Sequence, residues 1–173
     1  MKYFTRELIE RFGSLDDAIA DAGDAEWEEA VERHESQLQA IRERLPTSLR
    51  HLWDNFYLHD ADVLAMGRQG QKFVIVLRLD VPPKELLILN YQLVEEPFIN
   101  TEALPPEERC NYMEWMYDEI GWVGGEKEYA THSILFSNGW EVELHLRDLE
   151  VNAAQTLVPI ATIPAVPAVP QSA

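Results

Sequence analysis

The dipeptide Asn138-Gly139 constrains this chain more than any other feature. Both residues tolerate the positive φ of a type I′ turn, and alternating apolar and polar residues flank them on either side. The pattern predicts two antiparallel strands that follow Gly124-Gly125 and are joined by a two-residue turn. Such a turn fixes the register. Ser137 then faces Trp140, Leu135 faces Val142, Ser133 faces Leu144 and Thr131 faces Leu146, and this face is the core one. On the other face Phe136 meets Glu141, Ile134 meets Glu143 and His132 meets His145. A last short strand is expected through Leu149 and Val151.

The first 57 residues carry helical spacing instead. Thr5 is an N-cap ahead of Leu8, Ile9 and Phe12, with Gly13 as a stop, and Ser14 caps a short second helix. A longer helix is predicted from Asp24 to Leu45, because Trp27, Val31, His34, Leu38, Ile41 and Leu45 step by three or four along one face. Pro46 ends it, and Thr47 or Ser48 opens a helix striped by Leu49, Leu52, Trp53 and Phe56. Three strands follow over Val63–Met66, Lys72–Leu79 and Glu85–Val94, divided by Gly67-Arg68-Gln69-Gly70 and Pro82-Pro83. Pro105-Pro106 with Glu107 and Glu108 then resembles a helix start, and Cys110, Met113, Tyr117 and Ile120 recur at helical spacing before Gly121. The expected fold is α+β, with N-terminal helices packed on a mainly antiparallel sheet that ends in the hairpin. Residues 1–152 form one domain, 1–57 helical and 58–152 mainly β, and residues 153–173 form a flexible Pro/Ala-rich tail.

Charge narrows the function. Fourteen Lys and Arg stand against 31 Asp and Glu, a net charge of −17 that repels phosphate backbones and anionic membrane surfaces. Direct nucleic-acid binding is excluded on this ground, whereas a basic protein would be attracted. Cys110 is the only cysteine, so no intrachain disulfide forms, and charged residues interrupt the opening segment where a secretory signal would be apolar. The apolar run Leu157 to Val169 is too short and too broken by proline to span a bilayer. The expectation is a cytoplasmic protein with no membrane partner.

No catalytic motif is present. Of the candidate sites, His132 and His145 face each other across the predicted hairpin with Glu143 on the same face, an arrangement that can chelate a divalent transition metal such as zinc. This supports an alternative reading as a metal-binding protein or metal-dependent hydrolase. The His59-Asp60 pair stands alone at a helix-to-strand joint, where it suits a turn better than a metal shell. Nine acids between Asp16 and Glu35 are balanced only by Arg33, and eight between Glu95 and Glu119 only by Arg109. Glu28, Glu32 and Glu35 are therefore candidate contacts for a basic partner, with Trp115 and Trp122 as candidate aromatic anchors. The leading reading is a non-catalytic, acidic protein-binding domain without a cofactor, with immunity proteins that neutralise toxins as its most concrete form.

Three short stretches carry a resemblance. The opening Met1-Lys2-Tyr3-Phe4-Thr5, the joint Leu58-His59-Asp60-Ala61, and Trp115-Met116-Tyr117-Asp118-Glu119-Ile120 ahead of the hairpin resemble a family of small bacterial proteins classed as a domain of unknown function. The resemblance runs to about Val151 and implies a bacterial, cytoplasmic single domain. It implies no activity, cofactor or site residue.

Overall fold

The computed structural model describes residues 1–82, 85–101 and 113–154. The helices are α1 (Arg6–Phe12), α2 (Asp17–Ile41) and α3 (Thr47–Asn55), with a 3-10 turn over Arg42–Arg44. The strands are β1 (Ala61–Gln69), β2 (Lys72–Arg78), β3 (Leu86–Leu93), β4 (Phe98–Asn100), β5 (Glu114–Val123), β6 (Tyr129–Phe136) and β7 (Glu141–Ala154). None of the described helices is long and apolar enough to cross a membrane.

Local chemistry accounts for the helices. Thr5 Oγ1 accepts from Leu8 N at 3.3 Å, as an N-cap should. Asp16 Oδ1 takes the N–H groups of Ala18 and Ile19, so α2 starts well before Asp24 and the separate short helix expected after Ser14 is absorbed into it. Gly23 lets α1 and α2 approach closely, because a Cβ there would lie 2.7 Å from Phe12 N. Leu49 and Leu52 of α3 join the main apolar core, while Phe4, Leu8 and Ala30 form a second cluster with Trp27, Val31 and Tyr117.

The sheet corrects the expected fold class. Instead of an open sheet under helices, β3, β2, β1, β5, β6 and β7 form a six-stranded antiparallel barrel that closes through β3–β7 pairing. Closure depends on the length of β7. Its first half pairs with β6, and its second half, expected as a separate short strand, continues alongside β3 from Leu146 to Ala154. Strand β4 adds to β7 outside the ring. The weakest seam is β1–β5, paired only at Ala61–Trp115 and Asp62–Glu114. Inward side chains such as Phe73, Ile75, Leu87, Leu89, Ile134 and Leu144 fill the barrel, which is therefore a packed core and not a channel.

Two further expectations change. The part of the anticipated helix that is described is strand β5, with a bulge between Trp115 and Tyr117; its remainder, including Cys110, lies outside the described residues, as does most of the expected tail. The bulge inserts one residue, so Trp115, Asp118 and Ile120 serve the barrel side while Tyr117 and Glu119 meet the N-terminal segment and helices.

The hairpin forms, but its register moves by one. Gly139 N bonds to Phe136 O at 2.8 Å and Phe136 N bonds to Trp140 O at 2.9 Å, which makes a three-residue loop with Gly139 at φ 78°. Asn138 stays at negative φ and its Oδ1 accepts from Trp140 N. Ser133 now faces Glu143, His132 faces Leu144 and Thr131 faces His145. The slip turns over β6 but not β7: Val142, Leu144 and Leu146 face the core as expected, and His132, Ile134 and Phe136 take the inner face expected for Thr131, Ser133 and Leu135.

Candidate functional site

The slip dismantles the anticipated metal site. His132 points into the barrel and is fully buried, whereas His145 points outward. Both nitrogens of His145 are already taken by carboxylates: Nε2 lies 2.6 Å from Glu143 Oε1, and Nδ1 contacts Glu95. The ring stacks on Tyr129 at 5.0 Å between centroids. The described residues contain no group of three His, Cys, Asp or Glu arranged to hold a metal. Trp115, expected as a surface anchor, is wholly buried, and Trp122 is half-buried against the barrel core.

His132 belongs to a polar chain inside the barrel. Tyr91 Oη lies 3.1 Å from its Nδ1, its Nε2 lies 2.9 Å from Asp118 Oδ2, and Trp115 Nε1 donates to Asp118 Oδ1 at 2.9 Å. Burial, assisted by the charge of Asp118, pushes the Tyr91 phenol well above its ordinary range, so the hydroxyl keeps its proton and donates to Nδ1. The Nε2–H of His132 then donates to Asp118. Burial alone would push the Asp118 carboxyl up, but the hydrogen bond from His132, with that from the Trp115 indole, holds it below the usual carboxylate range. Each member of this chain has a partner, and only Asp118 reaches the surface of the barrel core, on the wall of a cavity.

That cavity, of about 310 Å³, lies between α2, α3 and the start of β5. Each wall has a local cause. Glu119 on β5 accepts backbone N–H groups from Lys2, Tyr3 and Phe4, each at 2.7 Å, and so holds Phe4 against the helices. Helix α2 supplies Val31, His34 and Glu35, and α3 supplies Leu52 and Trp53. The chain leaving α3 adds Phe56, Tyr57, Leu58 and His59 before Asp60, at φ 64°, turns it into β1. His59 Nδ1 approaches Asp60 Oδ1 to 2.9 Å but off the angle of a hydrogen bond, in keeping with the turn role expected for this pair.

The cavity is polarised by acids. Glu35 and Asp118 line it, and none of its described lining residues is Lys or Arg. His34 is 3% exposed and packs edge-on to Phe4 and Trp53, while its Nε2 is buried without a hydrogen-bond partner among the described residues. Burial lowers its pKa, countered in part by Glu119 and Asp118, so the ring is neutral. Tyr117, on the same wall, is pushed up by burial and then by Asp60 and Tyr57. The described lining holds no Ser, Thr, Cys or Lys to act as a nucleophile. Such a site can bind and orient a ligand, and its polar lining includes His34, Glu35, His59, Tyr117 and Asp118.

The acids singled out in the sequence lie beside this cavity. Along α2, Asp21, Asp24, Glu28, Glu32 and Glu35 are exposed, with Arg33 as the only basic residue of the helix. Glu28, Glu32 and Glu35 form no ion pair among the described residues, whereas Glu26 is tied to Arg11. Glu32 and Glu35 also border a shallow depression against Trp53. Sequence reading placed His34 and Trp53 on apolar stripes, where His34 is the one polar member of its row; that anomaly was the available signal for the cavity. No protein-family model matches this chain, and no curated protein matches it.

Proposed function

We propose that the protein is a non-catalytic binding protein that docks a basic partner on the solvent face of α2. The observation that carries this reading is the stripe Glu28, Glu32 and Glu35, exposed, without ion pairs among the described residues, and leading to the cavity mouth at Trp53. Residues at i, i+4 and i+7 share one helix face, so these carboxylates present one continuous negative surface. The net charge of −17 extends that field and favours fast encounter with a cationic surface. Trp53, 39% exposed, supplies the aromatic anchor that Trp115 and Trp122 do not. A cytoplasmic, bacterial setting and an immunity-like role are compatible with this surface chemistry.

The test begins with retention of a basic protein from host lysate, its identification, and its titration in pure form. Combining Glu28→Gln, Glu32→Gln and Glu35→Gln is expected to lower the association rate about tenfold at low salt and to flatten its salt dependence. An association rate unaltered by the three substitutions would overturn the proposal.

A further inference from the structure

We infer that the cavity between α2, α3 and β5 is a binding site for an organic cation, an ammonium or guanidinium group carried on an apolar stem. This goes beyond the docking face of α2: Glu35 and Trp53 serve both, but the inference stands on the cavity wall, Asp118 and His34. The first is the wall: Trp53, Phe56 and Tyr117 surround a space at the lower end of the size range of ligand pockets. Aromatic faces attract weakly hydrated cations through their quadrupoles.

The second observation is charge. Glu35 and Asp118 both line the cavity and no described lining residue is Lys or Arg, so an anion would meet two carboxylates and no counter-charge. An uncharged apolar ligand would strip water from Asp118 without replacing it. A bare metal ion is a poor fit, because the Asp118 oxygens already accept from His132 and Trp115 and no group of three His, Cys, Asp or Glu among the described residues is arranged to hold one. A cation with an apolar stem satisfies both the carboxylates and the rings.

The third observation is His34. It is more than nine-tenths buried, lines the cavity, and has an Nε2 with no hydrogen-bond partner among the described residues. A buried polar atom without a partner costs free energy. A ligand bearing N–H groups offers this imidazole a donor, and an uncharged ring does not repel the ligand. The cation can come from a free amine or from a lysine side chain of a docked protein, and the chemistry is the same.

The test uses the full chain and three probes that share a benzyl body: benzylammonium, benzyl alcohol and phenylacetate. Binding is followed by calorimetry and by the indole signal of Trp53 in NMR spectra. The expected result is one site for the ammonium, about tenfold weaker binding of the alcohol and weaker still of the anion. Trp53→Ala should weaken the ammonium about tenfold, whereas Glu126→Gln, at an exposed acid outside the cavity lining, should leave it within about twofold. Equal binding of the three probes, a preference for phenylacetate, or no binding of any would overturn the inference. A blocked single-lysine peptide is the second arm: if it displaces the ammonium probe, a partner's side chain is the source, and if only free amines do, a small molecule is. Probes that fail to bind while a basic protein still docks with strong salt dependence would remove this inference and leave the docking face intact.

Discussion

Two buried histidines lie on the two sides of β5, and they differ in one respect. His132, inside the barrel, uses both nitrogens, one toward Tyr91 and one toward Asp118. His34, on the helical side, is nearly as buried, and its Nε2 has no partner among the described residues. A satisfied polar chain in a low-dielectric interior contributes rigidity and a unique arrangement, whereas an unsatisfied atom in a cavity wall is a cost to the fold. The difference separates what builds the barrel from what is left open for a ligand.

The sharpest way to break this contrast is His132→Leu. It leaves the Asp118 carboxylate and the Tyr91 hydroxyl buried without their partner, and breaking such a buried pair costs about 3–5 kcal/mol. Urea unfolding should show a loss of that size; a loss under about 1 kcal/mol would mean that the barrel chain is no more structural than His34. The next effect is that of Glu119→Ala. Its carboxylate takes three backbone N–H groups of the N-terminal segment; a hydrogen bond to a charged group contributes about 1.5–3 kcal/mol net, and less at the part-buried N–H groups of Lys2 and Tyr3, where water can replace the carboxylate. The expected outcome is a destabilisation of about 2 kcal/mol with faster amide exchange at Phe4, read by hydrogen–deuterium exchange. Unchanged exchange there would show that the cavity wall forms without the clamp.

Neither histidine's role could be read from the chain alone, and the reasons are specific. Thr5 and the apolar rows of α2 and α3 are local signals, and helices form along them, although α2 runs Asp17–Ile41 where the spacing predicts Asp24 to Leu45, and Pro46 precedes α3 instead of ending α2. Asn138-Gly139 announces a hairpin, but the same pair serves a two-residue turn or a three-residue loop with Gly139 at positive φ. These alternatives differ by one residue, and one residue decides whether His132 faces solvent beside His145 or the barrel interior beside Tyr91. Strand β5 was disguised twice: Met113, Tyr117 and Ile120 fit a helical period, and the bulge after Trp115 breaks the alternation that marks a strand. Barrel closure rests on β3 meeting β7, a long-range pairing that no local pattern encodes. The cavity inherits all three of these features, because Asp118 reaches its wall only when β5 is a bulged strand of a closed barrel.

His34→Phe carries the smaller, opposite expectation. Replacing an unpartnered polar ring by an apolar one of similar shape, among Phe4 and Trp53, should change stability by less than about 1 kcal/mol, and the change can be favourable. A loss as large as that of His132→Leu would show that His34 has a structural partner and would end the contrast. The same variant isolates a pH effect. Burial lowers the folded pKa of His34 from its ordinary 6.5, so between the two values the unfolded chain binds more protons than the folded one. Stability from this group is therefore complete above about pH 6.5 and falls as the pH drops below it, levelling off under the lowered folded value. Asp118, also depressed, acts in a separate window: its contribution is present above the ordinary aspartate value of 3.8 and is lost as the pH falls through its lower folded pKa. Unfolding free energy measured from pH 7.5 down to pH 5 should thus decline in the wild type, with a shallower slope in His34→Phe. Equal slopes would place the titrating group elsewhere. A filled cavity sharpens the point: an ammonium bound beside a neutral imidazole opposes its protonation, so saturating benzylammonium should shift the wild-type decline to lower pH and leave the His34→Phe profile where it was.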